Sequence, residues 1–252
     1  MQPHPLFYEP AALSSRANLV TSALGSVFSV SSGAAVEYRK QIEAAQACGS
    51  VAVDYTYGEI DLQGFSAILD AVCACCTAVE GKSWNEPETY VDIGCGFGKS
   101  VLAAAAYFPS LRAAVGIDIS PQLCEAATTL ISSSWSECCA ALPPRPADVT
   151  FRIDCADASV PPCLWLRADL AFSYWNAMGN DIRKGIVRQA REMRRGAIFV
   201  TTRIPVAGLD EACCPACSSH EPSLCHNWSL LAQEWVDFER LAHETVFIQQ
   251  RR

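Results

Sequence analysis

The 252-residue chain has no surplus of positive charge: 19 Lys and Arg stand against 27 Asp and Glu, for a formal net charge of −8. That balance argues against diffuse affinity for nucleic acid over the whole surface. Long apolar runs are also missing. The longest, Val101 to Phe108, falls far short of the ~20 residues that a bilayer-spanning helix needs. No basic segment precedes an apolar stretch near the first residue, so no export signal is read, and a soluble, intracellular protein is expected. Internal repeats are absent, and Pro143-Pro-Arg-Pro146 and Pro161-Pro162 read as loops rather than domain linkers. With 50% hydrophobic and 18% charged residues, the chain can build one sizeable core, which makes it one domain with a short extension.

Cysteine, by contrast, is plentiful, with 14 residues. A chain of this length without an export signal points to reduced thiols rather than a disulfide framework. Cys73, Cys75 and Cys76 fall in the pattern Phe65, Ile68, Leu69, Val72, Cys76, Val79, a buried helix face by its period. Further on, Cys214-x-x-Cys217-x-x-His220-x4-Cys225 offers the four soft ligands that tetrahedral zinc takes. Its Cys-to-His gap is shorter than a zinc knuckle's, so a plain cysteine-rich surface loop is the competing reading and no metal is assigned. Basic residues gather between Arg183 and Arg203, with Lys184, Arg188, Arg191 and Arg195 at helical spacing. This stripe is either a solvated helix face or a docking surface.

Strand patterns at Thr89–Ile93, Ala113–Asp118, Val149–Ile153, Leu170–Tyr174 and Ala197–Thr202 alternate with helical patterns at Lys99–Tyr107, Pro121–Ser134 and Asp181–Arg194. Another helix is expected over Leu62–Val79. Such alternation implies an α/β fold with a mostly parallel sheet covered on both faces. The runs Leu231–Phe238 and Glu244–Gln249 have no helix between them and predict a terminal antiparallel hairpin, which completes seven strands. Residues 1 to about 34 lack clear periodicity, so residues 1–50 read as an arm with one short helix, Ala34–Ala47. The main domain is 51–252, with 211–227 as a cysteine-rich insertion.

The most informative stretch is Thr89-Tyr-Val-Asp-Ile-Gly-Cys-Gly-Phe-Gly-Lys-Ser100. A short strand delivers three alternating glycines to the start of a helix, so backbone can approach a ligand without interference from Cβ atoms. Asp118 follows Gly98 by 20 positions, about the spacing at which an α/β wrap returns a carboxylate to a ribose. Lys99 stands where a dinucleotide fingerprint wants its third glycine, which disfavours NAD. The order Asp92-x-Gly94-x-Gly96-x-Gly98 resembles the first motif of class I S-adenosylmethionine-dependent methyltransferases, a Rossmann-like fold. That resemblance implies S-adenosylmethionine as cofactor. Lys99 is a candidate partner for its methionine carboxylate. Asp157, in Cys155-Ala-Asp-Ala158, resembles the acid that accepts the adenine amino group, or else caps a turn.

The upstream loop Tyr55-Thr-Tyr-Gly-Glu-Ile60 is similar to the Tyr-Gly-Glu cofactor loop of the disruptor-of-telomeric-silencing family, non-SET lysine methyltransferases of histone H3. The resemblance covers roughly residues 50–205. It implies that Tyr57, Gly58 and Glu59 close over the methionine end of the cofactor, and that Asn176, Tyr174 and Tyr57 serve the catalytic centre. Trp175 and Met178 would wall the substrate channel, with core packing as the alternative for both. It further implies a nuclear chromatin enzyme with histone H3 in nucleosomes as partner, and nucleosomal DNA or an acidic surface met by Lys184, Arg188, Arg191 and Arg195. The chain departs from that family where Lys99 replaces Gln and where Tyr174 and Trp175 replace paired asparagines. It also has no clear channel tryptophan near Leu241–Glu244 and no long basic tail. A class I methyltransferase for another protein or a small molecule is the second enzyme reading; a non-catalytic adaptor is the third.

Overall fold

The computed structural model describes residues 13–47, 60–77, 86–146, 148–209, 228–238 and 241–252. Seven strands form one sheet in the order β3-β2-β1-β4-β5-β7-β6. β1 (Thr89–Ile93), β2 (Ala113–Asp118), β3 (Thr150–Cys155), β4 (Leu170–Ser173) and β5 (Ile198–Thr202) run parallel. β7 (Leu241–Arg251) pairs antiparallel with β5 and with β6 (Trp228–Phe238). The strand order reverses between β1 and β4, so the cleft beyond their carboxyl ends is where an open sheet of this kind offers a binding site.

Alternation along the strands sends side chains to two cores. On one face Tyr90, Phe172 and Ile198 pack beneath α2 (Leu62–Thr77) and α3 (Lys99–Tyr107), with Phe65 edge-on to Phe172 at 5.2 Å. The same face carries α4 (Pro121–Ala141), which contributes Ile131 and Cys138. On the other face Val91, Ile93, Ala171 and Phe199 pack against Ile186, Val187 and Ala190 of α5 (Asn180–Ala190) and against Val206 of the short α6 (Val206–Leu209). Helices therefore cover both faces, as the pattern predicts, but unequally: α2, α3 and α4 lie on one side, and α5 with the four-residue α6 on the other.

The N-terminal segment differs from the expectation. Instead of an arm with a short helix, a continuous helix, α1 (Ser15–Ala47), runs for 33 residues across α2, α3 and α4. Ala17, Val20, Leu24, Val27, Phe28 and Ala35 are buried among its described side chains. Their spacing is helical, but the intervening Ser and Gly residues have weaker helix propensity and hide it. Ser14 anchors its start, with its amide and hydroxyl donating to the two oxygens of Asp70 on α2 at 2.8 and 2.6 Å.

At the amino edge of the sheet, Asp169 accepts bonds from the amides of Glu88 and Thr89 at 2.7 and 2.9 Å and pairs with Arg194. Arg194 of the basic run thus fastens strand ends. Among the described residues no helix is long and apolar enough to cross a membrane.

Candidate functional site

The turn between β1 and α3 is shaped by its glycines. Gly94, Gly96 and Gly98 have φ of 83°, 53° and 75°, the left-handed region in which a side chain is strained. A Cβ on Gly94 would lie 2.6 Å from Met178 Cε, and one on Gly98 3.1 Å from Ala127. The turn also uses its own amides. Those of Gly94 and Cys95 donate to the Ile117 carbonyl at 2.8 and 3.0 Å, and that of Gly98 donates to Cys95 at 2.8 Å. This is therefore no row of free donors awaiting a phosphate. Its bare glycine backbone lets a ligand lie close, and Gly94 is the exposed residue of the turn.

Two carboxylates flank it. Asp118, at the tip of β2, accepts from the Gly96 amide at 3.0 Å with one oxygen and from the Ser120 amide at 2.9 Å with the other. Burial pushes its carboxyl up, and those amide bonds partly offset the effect. Each oxygen retains a lone pair, so it can still accept from a ribose hydroxyl. Next to it Ile119 is 55% exposed, an apolar plate of the kind an adenine ring stacks on. Asp92 accepts from the Ser100 hydroxyl with Oδ2, while its Oδ1 is buried without a partner. Desolvation raises the Asp92 carboxyl to about 7, and neighbouring Asp118 adds to the effect.

Helix α1 roofs this half of the site. Tyr38 sits edge-on to Phe97 at 6.3 Å, and its hydroxyl is 2.9 Å from that of Ser120, the residue that caps α4. Lys99 is only 6% exposed, with its ammonium 5.5 Å from the centre of the Phe28 ring. It is therefore held under α1, which the sequence reading did not foresee. Asp157 is exposed, and its Oδ1 accepts both the amide and the hydroxyl of Ser159 at 2.8 and 2.6 Å. This is the turn-capping arrangement named as its alternative.

Beyond β4 and β5 the site is built from side chains. The Asn176 amide nitrogen donates to Tyr174 Oη at 2.9 Å and to Glu244 Oε1 at 2.6 Å, and its oxygen accepts from the Thr202 hydroxyl at 3.1 Å. Its amide is occupied by the protein itself, so Asn176 braces the strand ends instead of presenting a free amide to an acceptor. Arg203 grips Glu244 through Nη2 at 2.9 Å and Nε at 3.1 Å. Its φ of 66° makes it the non-glycine residue in the left-handed region among those described. Tyr174 is pushed up to about 12, by burial first and then by Glu244. Trp175 is fully buried, packed edge-on to Phe199 at 6.3 Å, and belongs to the core rather than to a channel wall. Met178 packs on the same core as Trp175 and lies against Gly94 at the join of β1 and β4, with the Ser173 hydroxyl 3.6 Å from its sulfur.

Tyr57, Gly58 and Glu59, and Cys214, Cys217, His220 and Cys225, lie outside the described residues. Ser100, Ile119, Tyr38, Thr202, Arg203 and Glu244 were not read as site residues. Ser100 and Ile119 had a signal, since each directly follows a motif residue. Glu244 had none, because it meets Asn176 across 68 positions.

A parallel run continued by an inserted antiparallel seventh strand, in the order β3-β2-β1-β4-β5-β7-β6, decides the architecture. The chain has the class I methyltransferase fold. Solved structures similar to it include TrmN from Thermus thermophilus (16% identity, TM-score 0.49, covering 74% of this chain and 48% of that one). Others are the rRNA methyltransferase aviRa from Streptomyces viridochromogenes (13%, 0.48, 76% and 85%) and precorrin-6y C5,15-methyltransferase from Geobacter metallireducens GS-15 (13%, 0.42, 73% and 88%). The chain thus spans about half the length of TrmN. No family model and no curated protein matches the sequence. The resemblance to the disruptor-of-telomeric-silencing family is overturned: no model of that family matches, and these neighbours are not histone methyltransferases. A glycine motif and a Tyr-Gly-Glu triplet are short enough to recur without that kinship.

Proposed function

We propose that this chain is a class I methyltransferase that takes its methyl group from S-adenosylmethionine and passes it to a small-molecule acceptor. The observation that carries the donor assignment is the cradle itself: three left-handed glycines at the strand-order reversal, tied by the Gly96 amide to Asp118, beside the orphaned Oδ1 of Asp92. This donor set fits an adenosine with a cationic tail. Asp118 would accept from ribose hydroxyls, Ile119 would lie against adenine, and Gly94 would let the methionine portion pass.

Bound there, the sulfonium supplies an electrophilic methyl carbon, and the transfer is an in-line displacement. The protein's task is to align an unprotonated nucleophile and exclude water. Met178, against Gly94, would supply an apolar wall to the cleft that holds the donor. Tyr174, kept protonated by its surroundings, holds the Asn176 amide at the acceptor end of the cleft through the bond to its hydroxyl. The acidic balance of the chain favours a small acceptor over a polyanion.

One observation favours a second reading, a nucleic-acid acceptor: Arg188 and Arg195 are exposed on α5 and the turn after it. Incubation with tritiated S-adenosylmethionine and parallel pools of small metabolites, RNA and proteins separates the cases. Label in the small-molecule pool supports the proposal, and label confined to RNA or protein overturns its acceptor half. If RNA is labelled, reversal of Arg188 and Arg195 to Glu should abolish that labelling and flatten its salt dependence.

A further inference from the structure

Two thiols meet directly behind the tip of β2. Cys155 is the last residue of β3 and pairs in register with Asp118, while Cys124 lies on the first turn of α4. Cys124 Sγ is 3.5 Å from the Asp118 carbonyl and 3.8 Å from that of Asp154; Cys155 Sγ is 3.9 Å from the Ile119 carbonyl. The two sulfurs thus lie against consecutive carbonyls of the same backbone segment, those of Asp118 and Ile119, with Cys124 also against the residue that precedes Cys155. Cys155 is exposed and Cys124 buried. A solvent-facing thiol backed by a second thiol is the arrangement in which oxidation of the first is resolved by the second.

We propose that Cys155 and Cys124 form a thiol modification site, oxidised by hydrogen peroxide to a disulfide that closes the donor pocket. Hydrogen peroxide converts the Cys155 thiol to a sulfenic acid and is itself reduced to water. The Cys124 sulfur then attacks the Cys155 sulfur; the S–O bond breaks, a second water leaves, and the S–S bond forms. A dithiol reductant reverses the reaction. Burial holds the Cys124 thiol up, so the exposed Cys155 is the thiol that meets the oxidant first. The crosslink ties the end of β3 to the start of α4, so it pulls on the segment 118–124 between them. Within that segment Asp118 carries the ribose-accepting carboxylate, Ile119 the apolar plate and Ser120 the bond to Tyr38.

The proposal rests on reading this pocket as the donor site, and its test has two separate readouts. The full chain is treated with one equivalent of hydrogen peroxide and its peptides are mapped by mass spectrometry. S-adenosylhomocysteine affinity is measured before, after, and after dithiothreitol. The expected result is a Cys124–Cys155 linked peptide, with affinity reduced at least about tenfold and restored by reductant. C155S should form no such link and keep its affinity through peroxide. C124S should stop at a sulfenic acid that a dimedone probe traps. A linked peptide absent from the wild type, or a link that leaves affinity unchanged, overturns the inference. Failure of the reduced protein to bind S-adenosylhomocysteine overturns the donor reading instead, whether or not the link forms.

Discussion

At the tips of β1 and β2 the candidate site is made of backbone, whereas at the tips of β4, β5 and β7 it is made of side chains. In the first half, glycines at positive φ shape the turn, and Asp118 fixes it through the Gly96 amide with Asp92 alongside. In the second, Tyr174, Asn176, Thr202, Arg203 and Glu244 brace one another through bonds that join three strands. The first half suits a part that every reaction of the fold shares, and the second suits a part that sets which acceptor is used. Substitutions in the two halves should therefore fail in different ways.

The largest effect is expected at Gly98. Valine there would combine a strained φ with a Cβ against Ala127 and Ile131, and S-adenosylhomocysteine affinity measured by calorimetry should drop at least about 100-fold, some 3 kcal/mol. Near-normal affinity would break the claim that the donor half depends on backbone conformation. Glu244→Gln, in the other half, frees Arg203 and loosens Asn176. It should lower kcat/KM for the acceptor about tenfold and stability by about 1–2 kcal/mol, while donor affinity stays within about twofold. A matching loss of donor affinity would merge the two halves into one.

Asp92 sharpens the comparison through pH. Its carboxyl is raised from 3.8 to about 7 in the folded protein, so between those values the folded state holds a proton that the unfolded state has lost. Stability from this group therefore falls as pH rises from about 4 to about 7. A cationic donor favours the ionised carboxylate, so S-adenosylmethionine affinity should rise through pH 7 and then level. D92N should flatten that rise, and a wild-type profile already flat from pH 6 to 8 would contradict the assignment. The smallest effect is expected at Tyr38, where phenylalanine removes the 2.9 Å contact with Ser120. Donor affinity should fall about two- to fivefold, or roughly 0.5–1 kcal/mol; no change in a stopped-flow dissociation rate would show that α1 does not retain the ligand.

The same division explains what could be read from the chain. Strand β1, helix α3 and strand β2 begin and end at the predicted residues, because apolar alternation, glycine and a helical period follow one another within thirty positions. The glycine turn and Asp118 belong to that local code. Strand β3 is displaced by one residue at its start, and α4 continues past Ser134 to Ala141, which are ordinary errors where Ser and Cys blur the period. The last part of α1, Ala34–Ala47, was legible, but its first part from Ser15 was missed because the apolar positions there are separated by Ser and Gly. The side-chain half was largely illegible: Asn176 and Glu244 meet only after β7 inserts beside β5, and nothing near either residue announces that pairing. Tyr174 and Asn176 were picked from their strand-end position and from the resemblance now overturned, and Trp175 beside them proved to be core, packed into the opposite face from Tyr174.

The account depends most on the donor cradle, and a calorimetric titration of the reduced full chain with S-adenosylhomocysteine tests it without knowledge of the acceptor. One equivalent should bind, with heat that disappears in Gly98→Val and persists in Glu244→Gln. No binding by wild-type protein that melts cooperatively would contradict the central claim.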